Sequence, residues 1–331
     1  MNLFGTALTN TAPSANYRGE SEQNRSVIQR VTEGRFEYGI VSPEAMRNAL
    51  RETLRAYGLP CNRERLHNEG QLAVRFEDYP YPERYVDDFF FGYFIADRKK
   101  IPSAVVKERD LQYKRDSILR MNLARALQPY RHDAIFTQSP LTTRSVWKNA
   151  NESALLHRET TVTDFQYPFA LNLDDCRLDD DRPVLPLVES SNGAACGSRG
   201  EQYAAWLRHL LRGIGELNGV AGNHARSYFE MAPASIVLRL TTSLVAGYEL
   251  YAFAEDGSLP EVSDGIAHGD YPGGEFYIGG RIVREVLSAE ERERLRGRGT
   301  HLYRLAAHAL DSAARRITGQ GFLAEPPAEA N

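Results

Sequence analysis

Side chains that hold phosphate and ribose cluster in one short stretch of the chain. The run NTAPSANYRGESEQNR, residues 10–25, brings together Asn16, Ser21 and Asn24, the arginines Arg18 and Arg25, and a permissive Gly19. Amide, hydroxyl and guanidinium groups of this kind position a nucleic-acid backbone without reading its bases, and glycine allows close approach. Further on, Arg47, Arg51 and Arg55 recur at i+4, the spacing of one helical face. A solvated face paired with Glu44 and Glu52 explains these arginines equally well by spacing alone. The loop that precedes them favours a nucleic-acid contact.

The elements that must position these groups are a buried strand, NLFGTALT, the polar loop, a second extended run, RFEYGIV, and a helix opening at Ser42-Pro43-Glu44. Ser42 can cap that helix, Pro43 suits a first turn whose N–H would be orphaned anyway, and Glu44 complements the N-terminal dipole. Gly58 can close it in the left-handed conformation. Met46, Ala49, Leu50, Thr53, Leu54 and Tyr57 fall on one face and predict the packed side.

At this point the chain resembles a known family. The runs LFGTALTNTAPSANYRGESEQNRSVIQ and YGIVSPEAMRNALRETLR, with LRMNLARALQPYRHDAIFTQSP, ALLHRETTVTDFQYPFALNL, AGNHARSYFEMAPASIVLRLT and GDYPGGEFYIGG, resemble the DevR-type CRISPR-associated autoregulator family over most of residues 1–285. That family provides the guide-RNA-binding backbone subunit of type I Cascade surveillance complexes. The resemblance implies a hand-shaped, non-cleaving subunit with a finger-like insertion and a thumb that wedges between guide nucleotides. It also makes the loop around Asn223, His224 and Arg226 a second guide contact, where the plain alternative for His224 is a loop hydrogen bond.

Composition bounds the rest. The 331 residues, 42% of them hydrophobic, suffice for one elaborated domain or two small ones. No apolar run reaches membrane-spanning length, and the start MNLFGTALTN lacks the basic region of a signal peptide, so a soluble, cytoplasmic protein is expected. Cys61, Cys176 and Cys196 are far apart without CxxC spacing, and the eight histidines form no HxxxH pair, so neither disulfides, metal nor cofactor are expected. A net charge of −4 argues against nucleic-acid binding until its distribution is read. Residues 98–131 hold ten basic groups against three acidic ones, whereas 164–189 hold seven acidic groups against two basic. Segregated charge of this kind suits a subunit that binds RNA on one side and a neighbouring copy on another.

Along the chain, residues 61–131 read as the finger-like insertion, whose aromatics Phe89, Phe90, Phe91, Tyr93 and Phe94 predict a small core of their own in preference to base stacking. Ile118, Leu119, Leu123 and Leu127 predict a helix over 117–127, followed by the strand HDAIFTQ. Residues 139–153 then protrude as a loop. Leu141, Thr142 and Trp147 in it are the residues that the resemblance makes the thumb wedge, where a loop tryptophan otherwise folds back on the body. An acidic linker follows over 174–200; its aspartate run is solvated, not a metal site. A second helix is predicted over 202–217, a long strand region over 234–253, and a glycine-punctuated loop before FYIGGRIV. Ser288 and Glu291 form a capping box opening the C-terminal elaboration, 257–318, and 319–331 reads as a disordered tail.

Taken in order, residues 1–60 and 132–256 supply β-α-β-β-α-β, an α+β, ferredoxin-like core of the kind RNA-recognition-motif domains share, with large insertions. The expected function is a non-catalytic subunit that binds CRISPR guide RNA, polymerises head to tail with further copies of itself, contacts other Cascade subunits and meets target DNA through the guide. Two rivals stand beside it. One is a ribonuclease using His132, His157 or His224 as general base; the other is a scaffold that needs no RNA.

Overall fold

A computed structural model describes residues 1–14, 17–22, 25–66, 73–138, 155–184, 197–220 and 229–330, with 17–22, 25–26, 65–66, 73–74, 135–138 and 155–158 described as backbone alone. The strand Asn2–Leu8 organises it. It lies antiparallel between Phe165–Asn172 and Ser235–Thr241, with Asn2 level with Asn172 and Thr241, and Leu8 level with Gln166 and Ser235. These registers define an Asn2 end and a Leu8 end, about 20 Å apart at the usual rise per residue. Gly5 is obligatory there, because a Cβ would lie 2.4 Å from the Phe169 ring.

Nine strands form this sheet, in the order 301–303, 276–280, 235–241, 2–8, 165–172, 124–126, 36–41, 30–33, with 119–121 also paired to 165–172. Both faces are covered, as alternation along the first strand requires: Leu3 and Ala7 enter one buried cluster, Leu8 and Phe4 the other. The first cluster lies under the helices Pro43–Ala56, Arg199–Gly215 and Ala306–Thr318 and includes Met46, Leu50, Leu54, Leu207, Leu210 and Leu310. The second is closed by residues 246–266, with Tyr248, Phe253, Val262 and Ile266 against Val237 and Ile278.

Helix 43–56 follows its local signals. Ser42 accepts the Ala45 N–H at 3.2 Å, Pro43 opens the first turn, and Gly58 sits at φ +81°. The second helix starts earlier than its apolar pattern indicated, at Arg199, because Ser198 and Glu201 form a reciprocal capping box.

Elsewhere long-range pairing overrides local pattern. Residues 119–121 and 124–126 are strands, not a helix: Leu119, Met121, Ala124 and Ala126 alternate inward and pair with 165–172. The 234–253 region is strand only to Thr241. Gly265 lies inside a helix, Pro260–His268, that Gly269 ends at φ +91°. His301–Tyr303 is a strand between the helices Ala289–Gly297 and Ala306–Thr318.

The aromatic cluster has no separate core. Phe89, Phe90 and Phe91, on the helix Val86–Phe91, enter the main cluster, with Phe89 stacked on Tyr203 at 4.3 Å, while Phe94 stays exposed. The tail is ordered through Ala330, in contrast to the sequence expectation. Buried Asp311 accepts the N–H groups of Phe322 at 2.5 Å and Leu323 at 2.8 Å, and Ala330 donates to Leu302 at 2.7 Å along the outer edge strand. No helix among the described residues is long and apolar enough to cross a membrane.

Candidate nucleic-acid interface

Beyond the Leu8 end, the polar stretch read above as a loop is a β-hairpin, Tyr17–Glu22 with Arg25–Ile28, whose register shifts between Tyr17 and Ser21. Arg18, Gly19, Ser21 and Arg25 are therefore strand residues. The hairpin joins a second sheet of five strands, through parallel pairing of Arg25 and Ser26 with His157 and Arg158. The strand carrying those partners, Leu155–Thr163, pairs with Asp133–Gln138. These two strands flank 139–154, so the hairpin and the strands on either side of that segment share one sheet. Ala12–Ser14, continuing from the first strand, ties it to the main sheet through Thr161–Thr163.

Glu159 locks the junction. Its carboxylate is buried and accepts the Ile28 N–H at 3.1 Å and the Tyr130 hydroxyl at 3.2 Å, with an Arg30 guanidinium nitrogen at 3.7 Å. Arg30 in turn stacks over Tyr130, 4.4 Å from the ring centre, and pairs with Glu37 at 2.8 Å. Glu159→Ala should strand the Ile28 N–H and the Tyr130 hydroxyl, costing about 1–3 kcal/mol locally. Hydrogen exchange at the Ile28 amide is the measurement, and unchanged protection would contradict the lock. Sequence reasoning missed Arg30, Tyr130 and Glu159; the only signal was a lone acid in the alternating run HRETTVT.

The third sequence-read segment leaves from the same end. Buried Val220 and Phe229 flank 221–228, Phe229 packs edge-on to Phe165 at 6.0 Å, and the Tyr167 hydroxyl donates to Met231 O at 2.8 Å just before Ser235. Asn16, Asn24, Leu141, Thr142, Trp147, Asn223, His224 and Arg226 lie outside the described residues. What the structure brings together is the flanks of all three segments, at one end of one sheet.

The helical arginines divide. Arg47 is partly exposed, and Glu44 is its carboxylate neighbour at 3.7 Å. Arg51 is 5% exposed. Its Nε lies 3.4 Å from Asp87, it bonds Asn48, and it sits over the Phe91 ring at 5.0 Å. Burial first, then Arg63 nearby, lower its pKa to about 10, against the pull of Asp87. Arg51 thus holds this helix to the helix Val86–Phe91. The partner could not be read from helical spacing, since Asp87 lies far along the chain.

Asp88, beside Asp87, is also buried. Its Oδ2 accepts from Asn62 Nδ2 at 2.8 Å and Tyr81 N–H at 2.9 Å, while Oδ1 has no hydrogen-bond partner among the described residues. Burial, and then the Asp87 charge, push its pKa up to about 6. The folded state therefore binds this proton more readily than the unfolded chain, whose carboxyl titrates near 4. The Asp88 contribution to stability grows as pH falls from about 7 to 4, the reverse of a salt-bridged carboxylate. Asp88→Asn should gain stability over the wild type at pH 7 by about 1–3 kcal/mol and lose that advantage by pH 4. Urea midpoints at both pH values test it, and a pH-independent difference would refute it.

This architecture, a two-faced α+β sheet with a second sheet at the Leu8 end, is similar to that of a chain of known structure. A chain of a CRISPR RNA-guided surveillance complex matches 96% of this chain and 99% of its own length, with a TM-score of 0.54 at 15% identity. A second such chain, from a pre-nicking complex, matches 74% and 80%, with a TM-score of 0.47 at 12% identity. In sequence, the chain is a homologue of the CRISPR-associated protein Cas7/Cst2/DevR of Myxococcus xanthus (strain DK1622), at 28% identity over 321 residues, 93% of this chain and 95% of that protein. No family model matches the chain.

Proposed function

We propose that this protein is the non-catalytic backbone subunit of a type I CRISPR surveillance complex, Cascade, binding guide RNA and polymerising head to tail along it for pairing with target DNA. The observation that carries the reading is the convergence at the Leu8 end: the 17–28 hairpin, the stem of 139–154 and the flanks of 221–228 emerge from one end of one sheet. Arg18, Ser21 and Arg25 on the hairpin supply backbone contacts, with Asn16 and Asn24 beside them; Arg47 adds a partly exposed cation. Leu141, Thr142 and Trp147 form the wedge, and Asn223, His224 and Arg226 the second contact. Arg51 belongs to the fold's own interior.

The core of this subunit is ferredoxin-like. Antiparallel order 235–241, 2–8, 165–172, 119–126, with helices 43–56 and 199–215 between successive strands, supports a βαββαβ reading in which the C-terminal strands extend the sheet. Specificity for target DNA belongs to base pairing, and the protein supplies charge and shape.

The test is purification of the chain with and without a co-expressed guide, reading absorbance ratio and particle size before and after RNase. The expected outcome is an RNA-bearing assembly that disperses on digestion. Discrete cleavage of the guide, lost on substitution of His132, His157 or His224, would favour a ribonuclease instead. Assemblies indifferent to RNase would favour a scaffold.

A further inference from the structure

The two ends of the sheet carry different exposed apolar patches. At the Asn2 end, Leu244 is 88% exposed and Val245 64%, on a loop that leaves Thr241. That loop is not slack. Asn2 Nδ2 donates to Ser243 O at 2.8 Å, and Val245 N–H donates to the Ser243 hydroxyl at 3.2 Å. Arg239, itself held by Glu275, donates to Ala246 O at 2.6 Å, and the Tyr271 hydroxyl donates to Gly247 O at 2.7 Å. Large aliphatic side chains held rigidly in water mark a contact surface, since ordering them on binding costs little entropy.

At the Leu8 end, Val162 is 62% exposed, projecting outward between buried Thr161 and Thr163, and Phe36 is 44% exposed at the tip of the 30–33 and 36–41 hairpin. Charge follows the same division. Exposed Arg35 and Arg131 flank the Leu8-end patch and have no carboxylate partner among the described residues, and Arg35 lies over the Phe36 ring at 5.0 Å. Exposed Asp174 and Asp175 flank the Asn2-end patch, where Asp174 meets the Met1 amino group at 2.8 Å and Asp175 accepts from Asn172 Nδ2 at 2.8 Å.

We propose that the Asn2 end of one copy of this chain docks on the Leu8 end of the next, with Leu244 and Val245 against Val162 and Phe36, and Asp174 and Asp175 facing Arg35 and Arg131. The occupant is a second copy because the patches are complementary and lie at opposite ends of one molecule. Such a contact is heterologous and extends into a filament, whereas a self-complementary patch would stop at a dimer. This assignment rests on the polymerising reading above and gives it residues.

Dead-end variants test it. Leu244→Asp removes the Asn2-end face and Val162→Asp the Leu8-end face. Both sites are solvent-exposed, so folding is preserved, as a thermal melt verifies. On guide RNA long enough for several copies, each variant alone should lose self-association by roughly tenfold or more, while the affinity of the Leu244→Asp chain, substituted at the end away from the 17–28 hairpin, for an RNA spanning one copy is unchanged. Mixed in equal amounts, the two should give a one-to-one dimer and nothing larger, since each retains the face the other lacks. In parallel, Leu244→Cys and Val162→Cys chains, mixed without RNA at high concentration, should join through a short bismaleimide. Wild-type assembly by both variants, a mixture without dimers, or no cross-link overturns the interface. So does loss of a different subunit while copies still assemble, because the patch then serves another partner. A cross-link formed by chains that never bind RNA would sustain the interface and bring down the guide-binding reading.

Discussion

Arg51→Ala is expected to lower the unfolding free energy by about 3–5 kcal/mol, the usual cost of removing one partner from a buried ion pair. The side chain is 5% exposed, and its loss leaves Asp87 without a cationic partner at 3.4 Å, beside a second buried carboxylate, Asp88. Among the described residues Asp87 would keep the N–H groups of Asn62 at 2.7 Å and Arg63 at 3.1 Å, and the charge of the nearby Arg63 guanidinium, which makes no ion pair with it. The void over Phe91 adds lost packing to the electrostatic term. Arg47→Ala, one turn earlier on a partly exposed side chain, supplies the contrast: under about 1 kcal/mol in stability, with weakened RNA binding. Urea denaturation of the two variants side by side decides the matter. Equal midpoints would mean that Arg51 is not anchored in the interior.

The second large effect is on affinity. If the 17–28 hairpin and Arg47 neutralise about four phosphates per copy, log K for single-stranded RNA should fall against log salt with a slope near −3. Raising salt from 50 to 200 mM then weakens binding by roughly fiftyfold. A double Arg18→Ala, Arg25→Ala chain should bind less tightly at 50 mM and show a slope shallower by about 1 to 1.5. The loss should be alike for RNAs of unrelated sequence, since phosphate contacts carry no base information. Fluorescence anisotropy across a salt series reads both quantities. A flat salt response, or a loss confined to one sequence, would contradict backbone binding at this hairpin. The net charge of −4 makes the test sharp, because no general excess of positive charge can mimic it.

Legibility in the sequence followed the range of the forces involved. Helix 43–56 was readable from Ser42, Pro43 and Gly58 because caps and turns are settled within a few residues. Residues 117–127 misled because Leu119, Leu123 and Leu127 repeat at i+4, while the deciding partners, Phe169 and Leu171, lie some fifty residues on. Of the candidate site, the hairpin stretch was legible as a cluster of backbone-binding residue types. Its pairing with the 155–163 strand was not, because parallel pairing leaves no local turn signal. The division between Arg47 and Arg51 was likewise hidden, for burial on one helical flank depends on an insertion that spacing cannot see.

The position of Asn2–Leu8 at the middle of the sheet also fixes the order of events on the ribosome. Its two neighbours are residues 165–172 and 235–241, so this strand finds no sheet partner until the first of these has emerged, and is enclosed only after the second has. Pairings of such sequence separation pay their loop-closure entropy before any contact offsets it, which slows folding and leaves apolar strand edges open meanwhile. The nascent chain therefore carries its most central strand uncovered until residues 235–241 are made, which makes slower translation through 172–241, or a chaperone holding residues 2–8, the natural means of raising the yield of folded protein.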